Sequence, residues 1–231
     1  MAKEFYDISY KTYFNFRINQ VLFQGEESWP LYVQMTYDRK TIFFKSYYFG
    51  LFAQSKFDFL RMPIIQVDRL ERRVIDFIIA RYADRFYLAE VPRRYKVYCQ
   101  DVLELCEPRL KLWLASYFRE EKMAGLAAMV EQTQSGVAAI QVWYSLKKIM
   151  DDGSFLKMEE KAARFGGPYL PLATYVRHQY PKGPFCLPLH EWLEVEKQIA
   201  IENFIDERFW RVDMGRIIRY VFDLARIPPN F

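Results

Sequence analysis

A chain of 231 residues with 52% hydrophobic side chains and a net charge of +4 can fill a substantial core and lacks the polarity of a disordered segment. Its longest apolar stretches, Ala124 to Val130 and Val137 to Ile140, fall far short of the roughly 20 residues that cross a bilayer. The N-terminal MAKEFYDISYK has no apolar signal core, so a cytoplasmic protein with no membrane partner is expected.

The first 60 residues hold 18 of the 42 aromatic side chains, a density that suits strands. From Thr12 onward Phe14, Phe16 and Ile18 alternate with Tyr13, Asn15, Arg17 and Asn19, the period-2 signature of a half-buried strand. Gln24 to Trp29 reads as a polar connection. A second strand sets Leu31, Val33, Met35 and Tyr37 against Tyr32, Gln34 and Thr36. Asp38, Arg39 and Lys40 form a tight turn, and a third strand, Thr41 to Phe49, sets Ile42 and Phe44, with Ser46 next in the same alternation, against Thr41, Phe43, Lys45 and Tyr47. These three strands predict an antiparallel meander. Its apolar face needs a cover, and a helix at about 66–86, with the stripe Val67, Leu70, Val74, Phe77 and Ile78, supplies one.

From about Arg93 the pattern is helical: 93–106, 108–132, 136–150, 155–164, 189–208 and 212–226, with Asp152-Gly153 and Pro228-Pro229 as helix ends. Residues 166–188 hold five of the eleven prolines and three of the nine glycines, which predicts a structured loop. The expected class is α+β, with a sheet-plus-helix module over 1–90 and a mostly α-helical domain over 91–231.

The inventory for chemistry is thin. No phosphate-binding glycine loop, no nucleophile elbow and no CxxC pair occurs. With His178 and His190 as the only histidines, a multi-histidine metal site is excluded. His190 and Glu194 would lie one turn apart on a helix, yet the string HEWLE departs from HExxH. No catalytic residue, cofactor or metal is expected. Cys99, Cys106 and Cys186 argue against a disulfide framework, and Cys99 and Cys106, seven apart on a predicted helix, read as core fillers. The charge surplus lies in the first half, with 7 basic against 6 acidic groups over 1–60 and 13 against 10 over 61–123. It permits a nucleic-acid partner without demanding one. On the last helix Arg216, Arg219 and Arg226 fall on one stripe that a phosphate or acidic partner could use.

The order of features over residues 10–90 resembles a known family. An aromatic and basic strand (Lys11 to Gln20), a loop ending in Trp29-Pro30, the strand Leu31 to Tyr37, the turn Asp38-Arg39-Lys40, the strand Thr41 to Phe49 and a charged helix from Arg69 to Phe86 are similar to the arm-type DNA-binding domain of Bacteroidetes tyrosine recombinases and integrases. That resemblance implies a sheet that enters the DNA major groove. It implies no recombinase activity here, because His178 and His190 lack the His-x-x-Arg box. If Phe14, Phe16 and Ile18 are covered, the period-2 rule turns Asn15, Arg17 and Asn19 outward beside Gln34, Thr36 and Lys45. Asn, Gln and Arg can read bases, while Lys45, with Arg39 and Lys40 in the turn, can hold phosphates. The expected function is a non-catalytic, double-stranded-DNA-binding accessory or regulatory protein of a mobile element. Three alternatives stay open: a scaffold that docks a protein partner, a single-stranded nucleic-acid binder stacking bases on Tyr13, Tyr32 and Tyr47, and an enzyme of unrecognised type.

Overall fold

The structure, a computed structural model, describes residues 7–133, 136–181, 184–209 and 212–225. The α+β chain divides into two compact units, Met1–Cys99 and Gln100–Phe231.

The strands of the first unit are β1 (Ser9–Phe14), β2 (Val21–Phe23), β3 (Glu26–Ser28), β4 (Leu31–Tyr37) and β5 (Lys40–Lys45). β1, β4 and β5 form the antiparallel three-stranded sheet, and β2 and β3 make a separate hairpin within the β1 to β4 connection. Each hairpin turns on two residues with positive φ, Gln24 and Gly25 at 54° and 83°, and Asp38 and Arg39 at 48° and 60°. This left-handed pair gives the backbone twist that matches flanking strands. Gln24 also clasps the small hairpin to the chain near Phe52 and Met62: its Nε2 donates to the Phe52 carbonyl at 2.6 Å, and its Oε1 accepts from the Met62 N–H at 3.0 Å.

Register fixes the faces of the sheet. Tyr10, Met35 and Ile42 lie side by side, as do Thr12, Val33 and Phe44, with Phe14 beside Leu31. This is the covered side, where Leu31, Val33 and Met35 are buried. Helices α1 (Tyr47–Phe52), α2 (Ile64–Arg81) and α3 (Val91–Tyr98) come next in the chain. α2 covers the β1 edge, where Tyr10 Oη donates to Asp76 at 2.7 Å and Thr12 Oγ1 donates to Asp68. Over β5, the Phe44 ring meets Tyr95 of α3 at 4.7 Å, and a 3₁₀ turn at Leu88–Glu90 packs on β4 and β5.

Two sequence expectations fail here for local reasons. β1 ends at Phe14, because Pro30, opposite Asn15 in the register, accepts from the Asn15 N–H at 3.0 Å but has no N–H to return, and the Asn15 side chain accepts from the Arg17 N–H at 3.1 Å. Alternation stops with the strand, so Phe16 is 68% exposed and Ile18 37% exposed, and neither belongs to the core. Phe16→Ala is therefore expected to cost less than about 1 kcal/mol in chemical denaturation, against about 2 to 5 kcal/mol for Met35→Ala. The third strand stops at Lys45, not Phe49, because Ser46 caps α1: its Oγ accepts from the Phe49 N–H at 2.9 Å.

One charge sits inside this unit. Glu71 lies on the buried stripe of α2 with Val67, Leu70, Val74, Ile75 and Ile78. Its carboxylate accepts from Ser46 Oγ, from Tyr95 Oη and, at 3.0 Å, from the Tyr48 N–H. Tyr95 Oη in turn accepts from the Tyr47 N–H at 2.7 Å. One acidic side chain thus ties the end of β5 and the start of α1 to α2 and α3. Burial pushes its pKa up to about 7, against the lowering effect of these donors.

The second unit consists of α4 (Val102–Glu120), α5 (Ala124–Gln132), α6 (Ala139–Ile149), α7 (Asp152–Phe165), α8 (Tyr169–Gln179), α9 (Leu189–Trp192), α10 (Val195–Arg208) and α11 (Met214–Ala225). α4 is its axis, contacted by α5, α6, α7, α8 and α11. Asp101 caps α4, accepting from the Leu103 N–H at 3.1 Å and from the Leu187 N–H at 2.8 Å. Backbone bonds from Val102 to Leu187 and from Leu189 to Gln100 close the same junction.

Several predicted boundaries move. The helix expected over 93–106 breaks before Asp101, so Cys99 and Cys106 do not share a helix, although both are buried free thiols. α4 runs through Pro108, and it ends before Lys122, whose φ is 59°. Asp151 caps α7 through the Ser154 N–H at 2.9 Å, so Asp152-Gly153 begins that helix instead of ending one. The predicted loop over 166–188 contains α8. The helix expected over 189–208 breaks between α9 and α10, so His190 and Glu194 are not one turn apart on a single helix. Arg226 and Pro228-Pro229 lie outside the described residues. Among the described residues no helix is long and apolar enough to cross a membrane.

Candidate nucleic-acid interface

The face of the sheet turned away from its helices is a small grid set by register. Its rows are Ser9, Thr36 and Thr41; Lys11, Gln34 and Phe43; and Tyr13, Tyr32 and Lys45. The first row is self-satisfied, with Thr36 Oγ1 and Thr41 Oγ1 2.9 Å apart. The other two carry the chemistry. The Tyr13 ring lies 6.2 Å from Tyr32 and 6.5 Å from Phe43, and Phe43 is 57% exposed. An open groove of about 620 Å³ runs over Lys11, Tyr13, Tyr32, Gln34 and Phe43 to Asn15 and Arg17, and no carboxylate lines it.

The predicted reading residues separate into three groups. Gln34, Thr36 and Lys45 are on this face, as the period-2 rule requires. Asn15 and Arg17 sit beyond the end of β1, at the Tyr13 end of the groove. Asn15 already spends an acceptor on the Arg17 N–H, which fixes the turn that presents Arg17. Asn19 is exposed in the same connection and does not line the groove. Arg39 and Lys40 occupy the opposite tip of the sheet, about 17 Å along the strand from Lys45. By alternation Lys40 also belongs to the side of Ile42 and Phe44, so it does not share the face of Lys45. Tyr47 is in α1 with its N–H on Tyr95 Oη, away from the grid.

Lys11 and Phe43 complete the surface and were not among the predicted site residues. Their signal was present: both have the parity of Tyr13 and Lys45 on their own strands. The basic run Arg93 to Lys96 is occupied differently. Arg94 pairs with Glu90 and lies over the Tyr82 ring at 3.6 Å, Arg93 reaches Glu90 at 3.9 Å, and Tyr95 is buried. Among the described residues no cluster of three or more His, Cys, Asp or Glu side chains could hold a metal ion.

Comparison with protein-family models, with curated proteins and with solved structures finds no match to this chain.

Proposed function

We propose that the N-terminal unit binds DNA on the outward face of β1, β4 and β5 and does no chemistry on it. The observation that carries this reading is the groove itself: exposed aromatic rings and an amide, flanked by Lys11, Arg17 and Lys45, with no carboxylate along its lining. Cations hold phosphates, while Gln34 and Arg17 offer the bidentate geometry that base edges need. The likeness of residues 10–90 to the integrase arm-type domain supports the same reading and would make the protein an accessory or regulator of a mobile element.

The Tyr13, Tyr32 and Phe43 cluster favours a second form of the same function, in which unpaired bases stack on the rings. A salt series with one sequence as duplex and as single strand separates the two. For duplex reading, Arg17→Ala relaxes sequence preference, and Lys45→Ala flattens the salt slope by about one unit. Lys40→Ala, at the far tip, changes the slope less. For single-strand stacking, Tyr13→Ala and Tyr32→Ala each cost about 1 to 3 kcal/mol on the single strand and leave the duplex little changed. Failure of the intact protein to bind either DNA at low salt would remove the proposal and favour a docking surface for a protein.

A further inference from the structure

The stripe on the last helix has a counterpart that sequence spacing cannot reveal. A pocket of about 160 Å³ in the helical unit is lined by Arg109 of α4, Arg164 at the end of α7 and Arg216 of α11, with Tyr220 and an apolar wall that includes Phe165 and Ile217. These arginines come from three helices far apart in sequence. None of them has a carboxylate ion pair among the described residues. Asp213, the one acid in the lining, accepts from the Arg216 N–H at 3.1 Å and thereby caps α11.

The backbone is shaped to admit Arg109. Gly167 has a φ of +84°, and a Cβ there would stand 2.8 Å from Arg109 Cγ. Only glycine suits both the conformation and the approach. Tyr220 keeps its proton, since burial raises its pKa and outweighs the lowering effect of Arg109; its hydroxyl is therefore a donor at neutral pH. Three guanidiniums against one carboxylate leave the pocket two charges positive, which a dianion balances. Planar guanidinium forks match phosphoryl oxygens in pairs. The volume far exceeds the ~15 Å³ one water needs and leaves room for an organic substituent on the Phe165 and Ile217 wall.

We propose that this pocket binds a small organic phosphate monoester, its phosphoryl group held by Arg109, Arg164 and Arg216 and its organic part lying on the apolar wall. Calorimetric titration of the intact chain with phenyl phosphate, inorganic phosphate and phenol tests this. The expected result is saturable binding of phenyl phosphate, weaker binding of inorganic phosphate and none of phenol. Arg164→Met and Arg216→Met, both exposed positions, should each weaken phenyl phosphate by about tenfold or more with unchanged melting midpoints. Arg17→Ala, on the sheet of the other unit, should leave it unchanged, so the pocket and the proposed DNA face succeed or fail separately. No saturation below about 10 mM, or equal affinity in both methionine variants, would overturn the proposal. Displacement of phenyl phosphate by duplex DNA would overturn it too, by assigning the arginines to backbone phosphates.

Discussion

Glu71→Ala is expected to destabilise the N-terminal unit by about 3 to 5 kcal/mol, among the largest effects of any single substitution in it. The change removes the acceptor shared by Ser46 Oγ, Tyr95 Oη and the Tyr48 N–H, and leaves three donors in a region water does not reach. Glu71→Gln keeps the shape and one acceptor oxygen, so its loss at neutral pH should be smaller. The two variants also differ from the native chain in their dependence on pH. Native Glu71 has its pKa raised from 4.5 to about 7, so between these values the folded state holds a proton that the unfolded state has released. The proton-linked part of its contribution is complete below about pH 4.5, declines as pH rises toward 7 and is gone above that. A shift of this size corresponds to about 3 kcal/mol. Asp101, raised from 3.8 to about 7 by burial in the other unit, gives a decline of the same sign. Hydrogen exchange of the α2 amides across pH 4 to 8 reads the Glu71 part alone. The native slope should vanish in Glu71→Gln, and an unchanged slope would show that another group titrates.

Lys111→Ala should be as damaging to the helical unit, at about 3 to 5 kcal/mol. Lys111 is 1% exposed and lies 2.6 Å from Glu107, one turn back on α4. Its ammonium also donates to the Thr133 carbonyl at 3.1 Å and to the Val137 carbonyl, so it binds the end of α5 and the approach to α6 onto the axis. Truncation strands the Glu107 carboxylate in the core and frees two carbonyls from their donor. Lys111→Met with Glu107→Leu removes both charges together. It should recover more than half of the loss, leaving chiefly the cost of the unpaired carbonyls. If thermal melts place the double variant below Lys111→Ala, the ion pair is not what makes the single change costly.

Sequence pattern carried the architecture because the signals for it are periodic. The alternation in β4 and β5 placed Leu31, Val33, Met35, Ile42 and Phe44 on one side and Gln34, Thr36 and Lys45 on the other, and the register agrees. Errors arose where a local hydrogen bond ends an element while the apolar pattern continues. Phe16 and Ile18 keep the alternation of β1, yet the Asn15 turn has already ended the strand. Tyr47 to Phe49 look like strand, but the Ser46 hydroxyl starts a helix. Proline misled in the opposite sense. Pro168 and Pro171 suggested a loop over 166–188, whereas they occupy the N-cap and third position of α8, where the missing N–H groups would have had no helical acceptor. The three-arginine pocket was out of reach, since positions 109, 164 and 216 are joined only by tertiary packing.

The cap on α4 has a consequence for synthesis on the ribosome. Asp101 finds its second donor 86 residues later, at Leu187, and translation at ~5 to 20 residues per second separates the two by roughly 4 to 17 seconds. During that interval a carboxylate destined for burial stays hydrated and the first turn of α4 lacks a native partner. The polar ties of the N-terminal unit, from Tyr10 with Asp76 to Tyr47 with Tyr95, close within its own 99 residues. Nascent chains stalled where α4 has emerged from the ribosome but Leu187 has not should thus resist protease over the first unit and be cut within α4, and resistance there should appear only once Leu187 has emerged.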